Sequence, residues 1–193
     1  MSSDRESVIG TLREYGALLE GHFRLASGRH SGHYVQVARI QQHPRALAAL
    51  LKGALASLEF GSFDLVVTAA VGGLAVGQQV GLIVDKRTIF AERKGGPELR
   101  FHRGFEVAAG ERVLLVEDVV TTGGTLSEMR GLVEEAEASV VAVFTVINRS
   151  GSEEWEGTPM ASVLAASFPT YESADCPLCR EGLPIERPGT KNS

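Results

Sequence analysis

Two cysteines, Cys176 and Cys179, are all that this chain of 193 residues carries. That is too few for a disulfide framework, so the fold must rest on a buried core. At this length one domain can bury roughly 70% of its unfolded surface, and covalent staples are unnecessary. No apolar run approaches the ~20 residues that span a bilayer. The opening Met1-Ser2-Ser3-Asp4-Arg5-Glu6 lacks the basic-then-apolar layout of a secretory signal. No membrane partner and cytoplasmic residence are therefore expected, and Asn148-Arg149-Ser150 reads as a chance glycosylation pattern. A basic excess is missing too. Lys and Arg number 19 against 24 Asp and Glu, a net charge of −5, which argues against broad nucleic-acid binding. It leaves room for a small anion held by a local cluster of Arg and Lys. Two common phosphate loops are also absent: there is no Gly-Lys-Ser/Thr, and no Gly-x-Gly-x-x-Gly follows a strand.

What is present is an ordinary globular composition, 44% apolar and 22% charged. Asp4 is placed to cap a first helix reaching about Leu19, with Val8, Leu12, Tyr15 and Leu19 on one face and Gly21 as the stop. The stretch Phe23 to Tyr34 is basic and rich in Gly and Ser, which predicts a polar loop outside the core. A second helix starts near Pro44 and carries Leu47, Leu50, Leu51 and Leu58. Four short β-rich runs follow, at Leu65–Thr68, Thr88–Phe90, Val113–Val116 and Val140–Ile147, with helical stretches near Leu74–Val84 and Leu126–Glu137. Continuous rather than alternating hydrophobicity marks strands covered on both faces. Strand alternating with helix predicts an α/β doubly wound fold with a mainly parallel sheet. After Phe168 the tail is rich in turn residues and predicts a small C-terminal extension.

The densest chemistry lies in Val113-Leu114-Leu115-Val116-Glu117-Asp118-Val119-Val120-Thr121-Thr122-Gly123-Gly124-Thr125. A buried strand delivers two carboxylates at its C-terminal end, where open α/β sheets bind ligands. The Thr/Gly loop opens a helix at Leu126. Its glycines let backbone amides approach an anion, and the helix N-terminus adds partial positive charge. Such a loop suits a phosphate monoester, and the acids suit neighbouring hydroxyls or a metal.

On these residues the chain resembles the type I phosphoribosyltransferases, and among them the orotate branch, from about Gly21 to Arg149. The resemblance implies a parallel sheet with a hood at one end and a Mg2+-dependent homodimer acting on phosphoribosyl pyrophosphate (PRPP) and orotate. Segments 1–42 and 168–193 would form the hood and 43–167 the core of a single domain. Glu117 and Asp118 would hold the ribose hydroxyls, and Thr121, Thr122, Gly123, Gly124 and Thr125 the 5′-phosphate. Mg2+ would be held through PRPP, near Asp118, rather than by a dedicated set of side chains.

Three more segments follow from the same resemblance. Ser27, Arg29 and Tyr34 fall in the hood over the base, with Ala26 where many members carry a lysine. The loop after the strand at Leu65, with Gly72 and Gly73, is the pyrophosphate loop, and Gly72 again replaces a lysine. Its glycines still permit an anion nest of amides. Arg93, Lys94, Arg100, His102 and Arg103 make the clearest cationic patch of the sequence. The resemblance puts Arg93 and Lys94 at the pyrophosphate. The loop that follows would close over the neighbouring subunit's active site. The family's loop lysine falls near Pro97, so Arg100, His102 and Arg103 are substitutes by chemistry rather than by alignment. Arg149 matches the arginine that grips the orotate carboxylate, a bidentate pairing that would select orotate over uracil. A purine phosphoribosyltransferase and a non-catalytic PRPP-sensing regulator are the alternatives. Cys176-Pro177-Leu178-Cys179 has zinc-knuckle spacing but is half a site. With no second Cys/His pair in sight, the expectation is a structural role, or a metal shared across a dimer.

Overall fold

The computed structural model describes residues 2–56 and 62–188, and the chain divides into two units, Met1–Ile40 with Ser167–Ser193 and Gln41–Ala166. In the first, helix α1 (Ser2–Glu14) leads into the antiparallel strands β1 (Leu18–Arg24) and β2 (His30–Val35). The helix ends earlier than the periodicity predicts. Gly16 takes a left-handed φ of 67°, and the Ala17 amide donates to the Leu12 carbonyl at 2.7 Å, which closes the last turn. Leu19 is therefore a strand residue, and the helix starts before Asp4 rather than after it.

The segment expected to be a polar loop is a hairpin with buried residues. Phe23, His30 and Ser31 are all at most 2% exposed. The β1–β2 register slips between Glu20 and Phe23, and this irregularity lets the consecutive residues His22 and Phe23 both turn inward. Strand β10 (Thr170–Tyr171) adds to β2, and a 3-10 turn (Ser173–Asp175) and helix α6 (Pro177–Arg180) follow. The half-site expectation at the cysteines fails, because His22 and His30 stand beside Cys176 and Cys179 within one chain.

The second unit is built on a seven-stranded sheet in the order β5-β4-β3-β6-β7-β9-β8. Strands β3 (Leu65–Ala69), β4 (Arg87–Glu92), β6 (Arg112–Val120), β7 (Ser139–Asn148) and β9 (Thr158–Ala165) run parallel. The short β5 (Arg100–Phe101) and β8 (Glu154–Trp155) are antiparallel edges. Helices α3 (Pro44–Ala56), α4 (Leu74–Val84) and α5 (Gly124–Glu135) flank it, and the four-residue α2 (Ala38–Gln41) precedes them. Leu58, expected in α3, lies outside the described residues. Three of the four predicted buried runs supply the core: Leu65 to Val67, Val113 to Val116, and Val143, Phe144, Val146 and Ile147 are each 0% exposed. The fourth is not continuously buried, since only Ile89 of Thr88–Phe90 is covered and its neighbours are partly open, and Val140 and Val141 at the start of β7 are also partly open. Strand β9, absent from the sequence reading, alternates buried Thr158, Met160 and Leu164 with more open positions and includes Pro159.

This strand order fixes where a ligand belongs. From β3 the chain steps outward through α4 to β4, then returns to the other side of β3 as β6 and continues the opposite way to β7. The order reverses between β3 and β6, and the crevice outside their carboxyl ends is the ligand position of open α/β sheets. The loops there are 70–73 and 121–123.

Candidate active site

Strand β6 continues through both acids rather than ending before them. Glu117 pairs with Thr145 and Val120 with Asn148 across β7, and the Thr145 hydroxyl donates to the Asp118 carbonyl at 3.1 Å. Being part of the sheet, Glu117 is only 7% exposed. Burial, reinforced by the charge and hydrogen bonding of Asp118, pushes its pKa up to about 8. Asp118 is half-buried, and its Oδ1 accepts the Val119 amide at 2.9 Å.

The 70–73 loop lies against this pair. A Cβ at Gly72 would stand 2.9 Å from Asp118 Oδ2, and one at Gly73 would stand 2.4 Å from the buried Thr68 hydroxyl. The loop can reach the acids because neither position carries a side chain. The Gln41 side-chain amide donates to the Gly72 carbonyl at 2.7 Å. Gln41 escaped the sequence reading, since a glutamine at the end of a four-residue helix carries no spacing signal.

On the other side of the acids, Thr121 and Thr122 are exposed, and Gly123 takes φ 83° and opens α5. No side chain caps that helix, so its first amides face the loop. A Cβ at Gly123 would fall 2.2 Å from Trp155 Nε1. Trp155, the chain's single tryptophan, is buried at 6% exposure, with the Arg130 guanidinium 4.1 Å from its ring centre. It seats the turn, and the sequence reading missed it, its being the single tryptophan the only signal that could have found it.

The cationic patch read from the sequence is largely compensated. Arg93 makes two hydrogen bonds to Glu128 of α5, at 2.7 and 2.8 Å. The Arg93 hydrogen bond holds the Glu128 carboxyl below its ordinary range. Arg103, at φ 61°, pairs with Glu92 at 2.9 Å, and Arg100 pairs with Glu98. Lys94 makes no ion pair among the described residues, and His102 Nε2 is buried with no hydrogen-bond partner. The loop itself is a hairpin excursion, since β5 folds back on β4. Arg149 directly follows β7, and its amide donates to the Val120 carbonyl at 2.8 Å, which pins it beside the end of β6.

Ser27, Arg29 and Tyr34 belong to the first unit. Arg29 is engaged there: it donates to the Thr170 hydroxyl at 3.0 Å and the Thr170 carbonyl at 2.9 Å, and pairs with Glu172. Tyr34 is half-buried and packs on Phe23, with ring centres 5.7 Å apart. Ser27 is exposed, and its hydroxyl accepts the Arg29 amide at 3.4 Å.

The acid pair thus lies between two glycine loops at the switch point of a parallel sheet, the ligand position of such folds. The family model for the phosphoribosyl transferase domain matches residues 33–164, and the chain belongs to that family. Within it, the chain is 41% identical over 184 residues to the orotate phosphoribosyltransferase of Chlorobium phaeobacteroides (strain DSM 266 / SMG 266 / 2430), covering 95% of each protein. The crystal structure of orotate phosphoribosyltransferase from Aeropyrum pernix superposes with a TM-score of 0.67 at 23% identity, over 82% of this chain and 93% of that one. Adenine phosphoribosyltransferase from Rhodothermus marinus gives 0.64 at 20% identity, over 83% and 99%. The fold is thus common to enzymes of different bases, and the base has to be argued from sequence similarity and from side chains.

Proposed function

We propose that the chain transfers the 5-phosphoribosyl group of PRPP to a ring nitrogen of orotate, giving orotidine 5′-monophosphate and pyrophosphate, in the de novo route to UMP. The observation that carries this reading is the Glu117–Asp118 pair between two glycine loops, in a chain 41% identical to an orotate enzyme across nearly its whole length.

In this reading the amides of Gly123 to Thr125 and the hydroxyls of Thr121, Thr122 and Thr125 receive the 5′-phosphate. Gly72 and Gly73 face the pyrophosphate. Glu117, largely protonated at neutral pH, donates to one ribose hydroxyl, and Asp118 accepts from the other. As pyrophosphate leaves C1′, positive charge grows on the ribose ring and the base nitrogen attacks from the opposite face. Orotate's nitrogen can be anionic, so the protein's task is mainly to stabilise the leaving group, position the reactants and exclude water. Arg93 and Lys94 supply positive charge at the leaving group, and Arg100, His102 and Arg103 ride on the loop that closes over it. In the free protein Arg93 is stored on Glu128 and exchanges that carboxylate for pyrophosphate oxygens. Arg149 pairs with the orotate carboxylate, so an uncharged base would leave it without that pair.

The Asp118 carboxyl, beside Gly72 and next to the loop proposed to hold the phosphate, is an oxygen ligand of the kind Mg2+ accepts. Held through PRPP, the ion would neutralise charge on the pyrophosphate. Ser27, Arg29 and Tyr34 form the base side of the hood. The working form in this proposal is a cytoplasmic homodimer whose 94–104 loops cross to the neighbouring site. No helix among the described residues is long and apolar enough to cross a membrane.

The test is a steady-state assay with PRPP and Mg2+, comparing orotate with uracil, hypoxanthine, xanthine and adenine. Pyrophosphate release with orotate alone is expected. Turnover only with a purine overturns the base assignment, and PRPP binding without turnover on any base points to a regulator.

A further inference from the structure

Four side chains of the first unit, none of them used by the transfer reaction, converge on one point. His22 lies in β1, His30 opens β2, Cys176 precedes α6 and Cys179 lies within it. Their four ligand atoms all fall within 4.8 Å of one another, and no disulfide links the cysteines. His22 Nε2 is 3.0 Å from His30 Nδ1 and 3.6 and 3.7 Å from the sulfurs of Cys176 and Cys179. His30 Nδ1 is 3.3 Å from the Cys179 sulfur. A tetrahedral zinc site with ordinary bond lengths has edges of about 3.3 Å between nitrogens, 3.6 Å between nitrogen and sulfur, and 3.8 Å between sulfurs. These four edges match those dimensions to within about 0.3 Å, and the other two are no longer than 4.8 Å.

A second observation sets the direction of the donor atoms. His22 Nδ1 lies 2.9 Å from the Leu183 carbonyl. That carbonyl can only accept, so Nδ1 carries the proton and Nε2 turns a lone pair toward His30 and the sulfurs. An imidazole held by its far nitrogen on a backbone carbonyl is the usual outer support of a metal-binding histidine. Burial adds a third constraint. His22, His30 and Cys176 are each at most 2% exposed. Two neutral imidazoles and two thiolates around a divalent ion make a complex of zero net charge, which can be buried at little cost. The β1 irregularity that turns His22 inward beside Phe23 has a use on this account.

We propose that His22, His30, Cys176 and Cys179 bind one Zn2+ in a closed, four-coordinate structural site. Binding releases the two thiol protons to solvent and oxidises nothing. With two nitrogens, two sulfurs and no open position, the site suits zinc rather than Mg2+ or Ca2+, which take oxygen ligands. It joins the N-terminal hairpin to the C-terminal segment, 154 residues apart between His22 and Cys176. Closing so long a loop is where a metal clip restricts the unfolded chain most. Cys179 is the one exposed ligand and gives chelators a way in.

The proposal is independent of which base the protein uses. Metal analysis of the full-length protein, purified under reducing conditions without chelator and then given zinc, is expected to find about one zinc per chain. Replacing zinc by cobalt should produce the intense visible bands of tetrahedral Co2+ and a thiolate-to-metal charge-transfer band. Stripping the metal should lower Tm by about 5–10 °C, with recovery on adding zinc back. The pair Cys176→Ser with Cys179→Ser should lose the metal, the cobalt spectrum and the zinc-dependent part of Tm. Should those variants fail to fold, the wild-type protein still decides. Less than about a tenth of an equivalent of zinc after refilling, or octahedral cobalt without thiolate bands, overturns the site. Full zinc in a folded double-serine variant overturns it equally.

Discussion

Glu117 offers the sharpest test of how the acid pair is built. Its folded pKa of about 8 stands against an ordinary value of 4.5. Between those two values the unfolded chain has released the Glu117 proton and the folded chain has kept it. Stability from this group is therefore complete below pH 4.5, is lost as pH rises toward 8, and is level beyond it. At about 1.4 kcal/mol per pH unit, the loss between pH 5.5 and 7.5 is on the order of 2 kcal/mol. Glu117→Gln keeps the shape and a hydrogen-bond donor but cannot titrate. The assay is guanidinium unfolding of both proteins, free of ligand, at half-unit steps across that range. The wild type should lose about 2 kcal/mol relative to the variant as pH rises, and the two should converge in acid. Parallel curves would refute the reasoning, because they would mean that Glu117 is ionised and hydrated in the folded protein like any surface acid.

Arg93→Ala should cost about 10²–10³ in turnover at saturating PRPP and orotate, the effect of losing one preorganised donor, and a wild-type rate would remove Arg93 from the leaving-group site. Arg149→Met should lower kcat/KM for orotate about 100-fold while leaving PRPP affinity, read by calorimetry, within about twofold. A similar loss on both counts would mean that Arg149 shapes the PRPP site instead. Gly123→Ala places a Cβ 2.2 Å from Trp155 Nε1 at a φ of 83°. Together the left-handed strain and overpacking should cost about 3 kcal/mol and lower Tm by about 6–12 °C. An unchanged Tm would show that Trp155 does not seat the turn.

Legibility in the sequence followed the range of the interaction. The bounds of α4 and the core of β3, β6 and β7 could be read because continuous Val/Leu/Ile runs and helical spacing are local signals. Strand β9 could not, since Thr158-Pro159-Met160-Ala161-Ser162 has little β-branched character and is held in place by Phe144 and Thr145 of β7. The hairpin at residues 18–35 was hidden by its small and polar residues, whose burial depends on β10 and the C-terminal segment. The partners of the arginines were equally invisible: Arg93 finds Glu128, 35 residues on. For the same reason Cys176 and Cys179 looked like half a site, because their companions stand some 150 residues earlier.

The point at which β6 ends matters more for chemistry than its two or three residues suggest. Acids that merely opened a turn would both be solvated, and neither would keep a proton at neutral pH. Because pairing with β7 runs on to Val120 and Asn148, Glu117 is held in the sheet, dried and pressed against Asp118, while Asp118 sits where Gly72 leaves room beside it. In the proposed reaction this would divide the pair into a donor and an acceptor, which two neighbouring ribose hydroxyls need if each is to be held in one orientation. A glycine on each side is the complement of that arrangement. Gly72 lets one loop approach the acids, and Gly123 lets the other turn over Trp155, so the backbone amides proposed to receive a phosphate and a pyrophosphate are set by the same strand that sets the acids.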